Sequence, residues 1–237
     1  MKQTALAASL CHPLNKLGDI YLYPCGLIAN TLFNDIITLE SGIDENGTDL
    51  VMLEEGIAWQ SDLDYKFGQP KDLKTQRCDS CQDCDSIWDD DELYTDKDGI
   101  CWRYLYPNKE NTRYLYETYP EIINPIDGVL SEHFIVWMRT AATPNFRKMY
   151  GWIDSKIPAG STLQFKVKSN WEVTSFKGTK SLVLTTTSMF GGKSPNLGNS
   201  FLAVGVFCFI TAFLFGLKHM IKPRKLADPK YLKYKGE

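Results

Sequence analysis

The stretch LGNSFLAVGVFCFITAFLFGL, Leu197 to Leu217, carries no charged side chain. At the α-helical rise its 21 residues cover roughly 32 Å, about the thickness of a bilayer's hydrocarbon core. Lys218, His219, Lys222, Arg224 and Lys225 follow at once, while on the other flank only Lys193 is near. The positive-inside rule therefore predicts a transmembrane helix at 197–217, a basic cytosolic tail at 218–237, and a lumenal or extracellular ectodomain at 1–196. A buried helix of a soluble protein is the competing reading, but such helices rarely run this long without a charge.

Placing the membrane divides the charge. The whole chain carries a net charge of −3, but the tail from Lys218 onward carries +5 and the remainder −8. An acidic ectodomain gives no support to nucleic-acid binding, and a basic tail suits an anionic cytoplasmic leaflet. About 196 residues are enough for one well-buried domain and too few for two ordinary ones. The opening MKQTALAASL is poorer than a signal-peptide apolar region. The expectation is a piece of a longer chain that lacks an upstream membrane helix.

Cys208 lies inside the apolar run and reads as a filler or an acylation target. The other six cysteines, Cys11, Cys25, Cys78, Cys81, Cys84 and Cys101, fall on the oxidising side, where an even number favours disulfides. The spacing Cys78-x2-Cys81-x2-Cys84-x16-Cys101 also admits a zinc or iron–sulfur site. Asn46-Gly47-Thr48 is a glycosylation sequon.

Residues 12–60 mix turns with short apolar runs. From Phe67 to about Gly128 the chain turns polar and acidic, which predicts a surface insertion with a cysteine-rich core at 76–103. Phe134 to Met138 is a continuous apolar pentad, with His133 expected on the surface at the start of a strand. Asn145 to Ile153 reads as a short helix. Three period-2 segments follow, at Leu163–Val167, Trp171–Ser175 and Leu182–Thr186. Turn residues separate them, which predicts an antiparallel meander. The fold class is mainly β: an antiparallel, sandwich-like ectodomain with short helical and irregular insertions, plus the C-terminal transmembrane helix.

No constellation points to catalysis. A Ser–His–acid set built on Glu132 and His133 is formally possible, but no G-x-S-x-G elbow occurs. Gly191-Gly192-Lys193-Ser194 ends like a phosphate-binding loop, yet Thr187 stands where the first glycine belongs. Asp96-Lys97-Asp98-Gly99 matches the middle of a calcium loop, but Tyr94 and Leu105 occupy its outer ligand positions. The apolar span holds no ionisable residue to form an ion path. No resident metal or cofactor is expected. Against this stands one alternative, a membrane-anchored receptor or metal-binding module that uses the cysteine-rich segment.

Several stretches together resemble one family. Pro24-Cys25-Gly26-Leu27-Ile28-Ala29-Asn30, continuing to Phe33-Asn34-Asp35, is similar to the PCG-x-IAN-x-x-FND signature of the non-catalytic subunits of phospholipid flippases, the cell division control protein 50 family. Gly56-Ile57-Ala58-Trp59 matches its GIAW element. EHFIVWMRTAA from Glu132, which holds Trp137 and Arg139, resembles its EDFIVWMRTAA block, with Phe146-Arg147-Lys148 after it. Pro158-Ala159-Gly160 and Gly191-Gly192-Lys193 also fit. The resemblance implies a glycosylated β ectodomain, no enzymatic activity of its own, and the catalytic subunit of a type IV P-type ATPase as heterodimeric partner, among membrane lipids. It implies a chaperone role in export from the endoplasmic reticulum, with residence there, in Golgi or endosomes, or at the plasma membrane. It also implies a disulfide between Cys11 and Cys25. Asn30, Asn34, Asp35 and Arg139 are expected to fix turns or inter-strand polar contacts. The acidic segment from Cys78 to Cys101 has no counterpart in the family pattern, and two internal disulfides of open pairing are expected there.

Overall fold

The computed structural model describes residues 11–82, 84–186 and 195–223. MKQTALAASL, the Gly191–Ser194 loop and the tail beyond residue 223 lie outside the described residues. The chain forms two compact units, Met1–Lys177 and Gly178–Glu237.

Among the described residues of the first unit, eight short strands divide among three small sheets. β1 (Lys16–Leu17) and β2 (Ile20–Tyr23) form a tight hairpin through Gly18, whose φ of +65° suits a residue without Cβ. β2 also pairs, in parallel, with β7 (Thr112–Tyr114). β3 (Ile36–Ser41) runs antiparallel to β8 (Gln164–Lys168), with a register slip between Leu39 and Ser41. The third sheet has β6 (Cys101–Leu105) at its centre, flanked by β4 (Lys74–Cys78) and β5 (Glu92–Thr95), both antiparallel.

Three short helices sit between the strands: α1 (Gln60–Tyr65), α2 (Leu115–Thr118) and α3 (Glu132–Met138). Phe134, Leu32, Ile123 and Ile135 are the largest side chains buried almost completely. Around them lies a layer of tyrosines. The Tyr106 ring is 4.3 Å from Tyr114 and 4.9 Å from Tyr116, and Tyr104 meets Tyr116 edge-on at 5.7 Å. Their hydroxyls are mostly placed: Tyr106 donates to the Pro125 carbonyl at 2.9 Å and Tyr104 to Glu92 at 2.5 Å. A Cβ at Gly128 would stand 2.6 Å from the Tyr106 hydroxyl, so the layer closes only over a glycine.

Several sequence expectations change. The region 67–128 is not a mere surface insertion, because Tyr104, Tyr106, Tyr114, Leu115, Tyr116 and Ile123 build the core from it. Tyrosine reads as polar in a composition scan yet buries a large ring. The apolar pentad is helical, not extended, and His133 lies on that helix, half-buried. A short apolar run cannot separate helix from strand by period alone. The stretch 145–153 is not helical; Trp152 instead makes a single bridge to Leu53.

The meander is not formed either. Its first segment is β8, but the strand's partner is β3, far back in the chain. Asp35 takes the backbone N–H groups of Asn170 and Trp171, which removes them from any ladder. Residues 171–175 and 182–186 carry no strand. The β-rich character therefore holds as small sheets, one with a parallel pair, rather than as an antiparallel meander.

The second unit contains α4 (Pro195–Ile221), the one helix among the described residues long and apolar enough to cross a membrane. Lys218 and His219 lie in its last turn, where cations suit the helix dipole. Thr211 returns its hydroxyl to the Phe207 carbonyl at 3.1 Å, so its polar group stays satisfied along an apolar surface.

Candidate functional site

The family-like sequence blocks converge on α3. At its start Glu132 accepts hydrogen bonds from the backbone of Gly56 at 2.8 Å and Ala58 at 2.7 Å, which shapes the Gly56–Trp59 segment. The next residue, His133, places Nε2 3.0 Å from Glu54 and its ring on Tyr150. The hydrogen bond from His133 holds the Glu54 carboxyl below its ordinary pKa. Glu132 is occupied by backbone and His133 by Glu54, so the two do not form the acid–base pair of a hydrolase.

At the far end of α3 three carbonyls would otherwise lack partners. Lys148 supplies them: its ammonium donates to the carbonyls of Val136 at 2.8 Å, Trp137 at 3.0 Å, and Arg139. Desolvation lowers the Lys148 pKa, with Arg139 adding to it. Arg139 donates to Asp62 at 2.6 Å and lies 4.7 Å over the Trp59 ring. That hydrogen bond keeps Asp62 below the usual carboxylate range. Trp59 itself is 65% exposed, a large indole face held at the surface by a guanidinium.

Trp137 extends the frame. Its indole N–H donates to the Ile28 carbonyl at 3.0 Å, and its ring stacks near Phe33 and meets Trp171 edge-on. Asn30 folds back on the Pro24–Gly26 turn, donating to the carbonyls of Pro24 at 3.0 Å and Gly26 at 2.9 Å. Cys25 in that turn is joined to Cys11. Asp35, 2% exposed, accepts from Asn170 at 2.7 Å and Trp171 at 2.6 Å, while the Asn34 carbonyl receives the Asn170 side chain. Pro24, Gly26, Asn30, Phe33, Asn34, Asp35 and Trp137 thus engage backbone groups and rings, and Arg139 a carboxylate and a ring. Glu132, Lys148 and Asp62 are equally important to the frame. Glu132 and Lys148 belong to the family-like blocks, but their partners, like that of Asp62 77 residues away, are not marked by any local pattern.

Two sites stand apart. Asn46 is exposed on a turn drawn tight by Asp44, whose carboxylate accepts from the backbone of Asn46 and Thr48 at 2.8 Å. In the third sheet Cys78 bonds Cys84 and Cys81 bonds Cys101. Sulfurs paired in this way are not thiolate donors, and among the described residues no group of His, Cys, Asp and Glu is arranged to hold a metal. Asp96 spends its carboxylate on the backbone of Asp98 and Ile100 and on the Trp102 indole, so the calcium-like tetrapeptide is a hairpin turn.

These contacts lie in a small β-rich unit that is followed in sequence by a helix of membrane-spanning length. The chain belongs to the LEM3 (ligand-effect modulator 3) family / CDC50 family, whose profile matches residues 1–225. It is 37% identical to ALA-interacting subunit 3 of Arabidopsis thaliana over 229 residues, 95% of this chain and 54% of that protein. It is 32% identical to the phospholipid-transporting ATPase accessory subunit CRF1 of Saccharomyces cerevisiae, covering 94% of this chain and 49% of the relative. It is also 32% identical to cell cycle control protein 50A of Mus musculus, covering 84% and 51%. The chain spans about half the length of the curated relatives it matches.

Proposed function

We propose that this chain acts as the non-catalytic accessory subunit of a phospholipid-translocating type IV P-type ATPase, supporting the pump's folding, export from the endoplasmic reticulum and lipid flipping. The observation that carries this reading is the frame around α3. Three of the family-like blocks are tied together there: Glu132 holds the backbone of Gly56 and Ala58, Arg139 lies over Trp59, and Trp137 donates to Ile28, while Asn30 braces its own turn and Asp35 holds the backbone of Asn170 and Trp171. Such wiring serves a surface of fixed shape. The yeast relative, named as a phospholipid-transporting ATPase accessory subunit, supplies the class of partner.

In this reading residues 1–196 lie in the lumen or outside the cell, 197–217 cross the bilayer, and 218–237 are cytosolic. Asn46 carries a glycan, and the protein resides in the endoplasmic reticulum, Golgi or endosomes, or plasma membrane. Co-expression with a type IV P-type ATPase of its own cell tests it. The ATPase should leave the endoplasmic reticulum only when this chain is present. Equal export with and without the chain would remove the proposal.

A further inference from the structure

Two cysteines of the third sheet, Cys78 and Cys101, and two of the segment beside it, Cys81 and Cys84, can be paired in more than one way. Cys78 and Cys101 are directly opposed across the β4–β6 ladder, so their side chains share one face. Residues opposed in an antiparallel pair have Cα atoms about 4.5–5.5 Å apart, inside the range a disulfide accepts. Yet they are not bonded to each other. Each is bonded to a cysteine of the strandless segment between β4 and β5, Cys78 to Cys84 and Cys81 to Cys101, with Cα separations of 5.5 and 5.3 Å. Cys81 and Cys84 are themselves spaced as C-x-x-C. Cys78 and Cys101 are buried, whereas Cys81 is exposed.

What those bridges hold down is specific. Arg103, 7% exposed, pairs with Asp91 at 2.5 Å and donates to the Cys84 carbonyl. Asp91 in turn accepts from the backbone of Ile87 at 3.2 Å and Trp88 at 3.3 Å. The segment 84–91 is therefore fastened to a buried guanidinium by an ion pair and a carbonyl hydrogen bond, and to the sheet by the Cys78–Cys84 disulfide.

We propose that Cys81–Cys101 is a thiol–disulfide exchange site, and that a neutral or cationic thiol converts the insert from the 78–84/81–101 connectivity to 78–101/81–84. The thiolate attacks the exposed Cys81 sulfur, forming a mixed disulfide and releasing Cys101 as thiolate. The Cys101 thiolate attacks its cross-strand neighbour Cys78, making Cys78–Cys101 and expelling the Cys84 thiolate. Cys84 then attacks Cys81, closing the C-x-x-C bridge and returning the incoming thiol. Two disulfides enter and two leave, so no net oxidant is consumed. The exposed Asp79, Asp85, Asp89 and Asp90 make the segment that carries Cys81 strongly acidic, which disfavours an anionic thiol such as glutathione. The product leaves segment 84–91 without a disulfide to the sheet, held to it by the chain and by the contacts of Arg103 with Asp91 and the Cys84 carbonyl.

The test is disulfide mapping of the detergent-solubilised full chain after acid quench and alkylation. In Cys81→Ser, Cys101 loses its partner. The proposal expects a Cys78–Cys101 peptide with the alkyl label on Cys84. Retention of Cys78–Cys84 with the label on Cys101 overturns it. Should that variant not fold, the wild-type chain is incubated with cysteamine. Appearance of Cys78–Cys101 together with Cys81–Cys84, and faster deuterium uptake at the Ile87 and Trp88 amides, supports the exchange. Finding only the original bridges and the fully reduced insert overturns it.

Discussion

The frame around α3 and the tyrosine layer beneath the cysteine sheet belong to the same compact unit and are held together by opposite means. The frame relies on directed polar contacts at half-exposed positions, such as Glu132 on two backbone N–H groups and Arg139 on Asp62. The tyrosine layer relies on buried area, with hydroxyls finding carbonyls at its margin. Directed contacts fix where chain segments lie. Buried area resists unfolding but is more tolerant of which ring fills which gap. A binding scaffold needs both, and the family-like motifs fall almost entirely on the first.

The largest effect comes where the two meet. Phe134 is 2% exposed, packs edge-on against Phe67 and belongs to the same core cluster as the tyrosines. Phe134→Ala should cost about 3–5 kcal/mol, read as a lowered urea midpoint. A loss confined to the tyrosine signal would show that the regions unfold separately. Next, Cys25→Ser removes a cross-link at the edge of the frame, a loss of about 2–5 kcal/mol. It should hold the protein in the endoplasmic reticulum, and normal glycan maturation would contradict this.

Glu132→Gln keeps the shape of the side chain but weakens its two backbone contacts. It should cost about 1–2 kcal/mol, with amide exchange rising at Gly56 and Ala58 and not at Tyr106. Tyr106→Phe is the mirror experiment. It deletes one hydrogen bond to Pro125 in a packed layer and should cost about 1 kcal/mol, without disturbing Gly56.

The smallest effect is in pH. Glu54 and Asp62 titrate lower in the folded frame than their ordinary values of 4.5 and 3.8. Their contribution is present above those values and is lost as pH falls through the depressed folded ones. Tyr114 behaves in the reverse sense: burial first, then Tyr23 and Glu117, push it up to about 12. Its contribution is complete below 10 and is lost as pH rises toward 12. The frame should therefore loosen first in acid and the tyrosine layer first in alkali. Coincident loss at both extremes, followed by tyrosine absorbance and Trp fluorescence, would break the distinction.

The sequence made the membrane-length helix legible because 21 mostly apolar residues without a charge have few alternatives. The same holds for the family, since its blocks follow one another in order from about Cys11 to Leu217. The frame was not legible. Glu132 and Gly56 are 76 residues apart, Arg139 and Asp62 77, and hydrophobic period carries nothing about such pairs. The helix at Glu132–Met138 was hidden because both α3 and a buried strand present an unbroken apolar run. The tyrosine layer was hidden by chemistry, since a segment rich in Tyr, Asp and Glu reads as solvated until the rings are seen packed together. The failed meander has a third cause: alternation near Trp171 is real, but Asp35, 136 residues away, claims the backbone.

The most direct test of the account is co-purification in mild detergent of the natively expressed chain, with mass spectrometry of what accompanies it. The account predicts a large P-type ATPase in near-equal amount, retained through size exclusion. Recovery of the folded chain alone, with its disulfides intact, would contradict it.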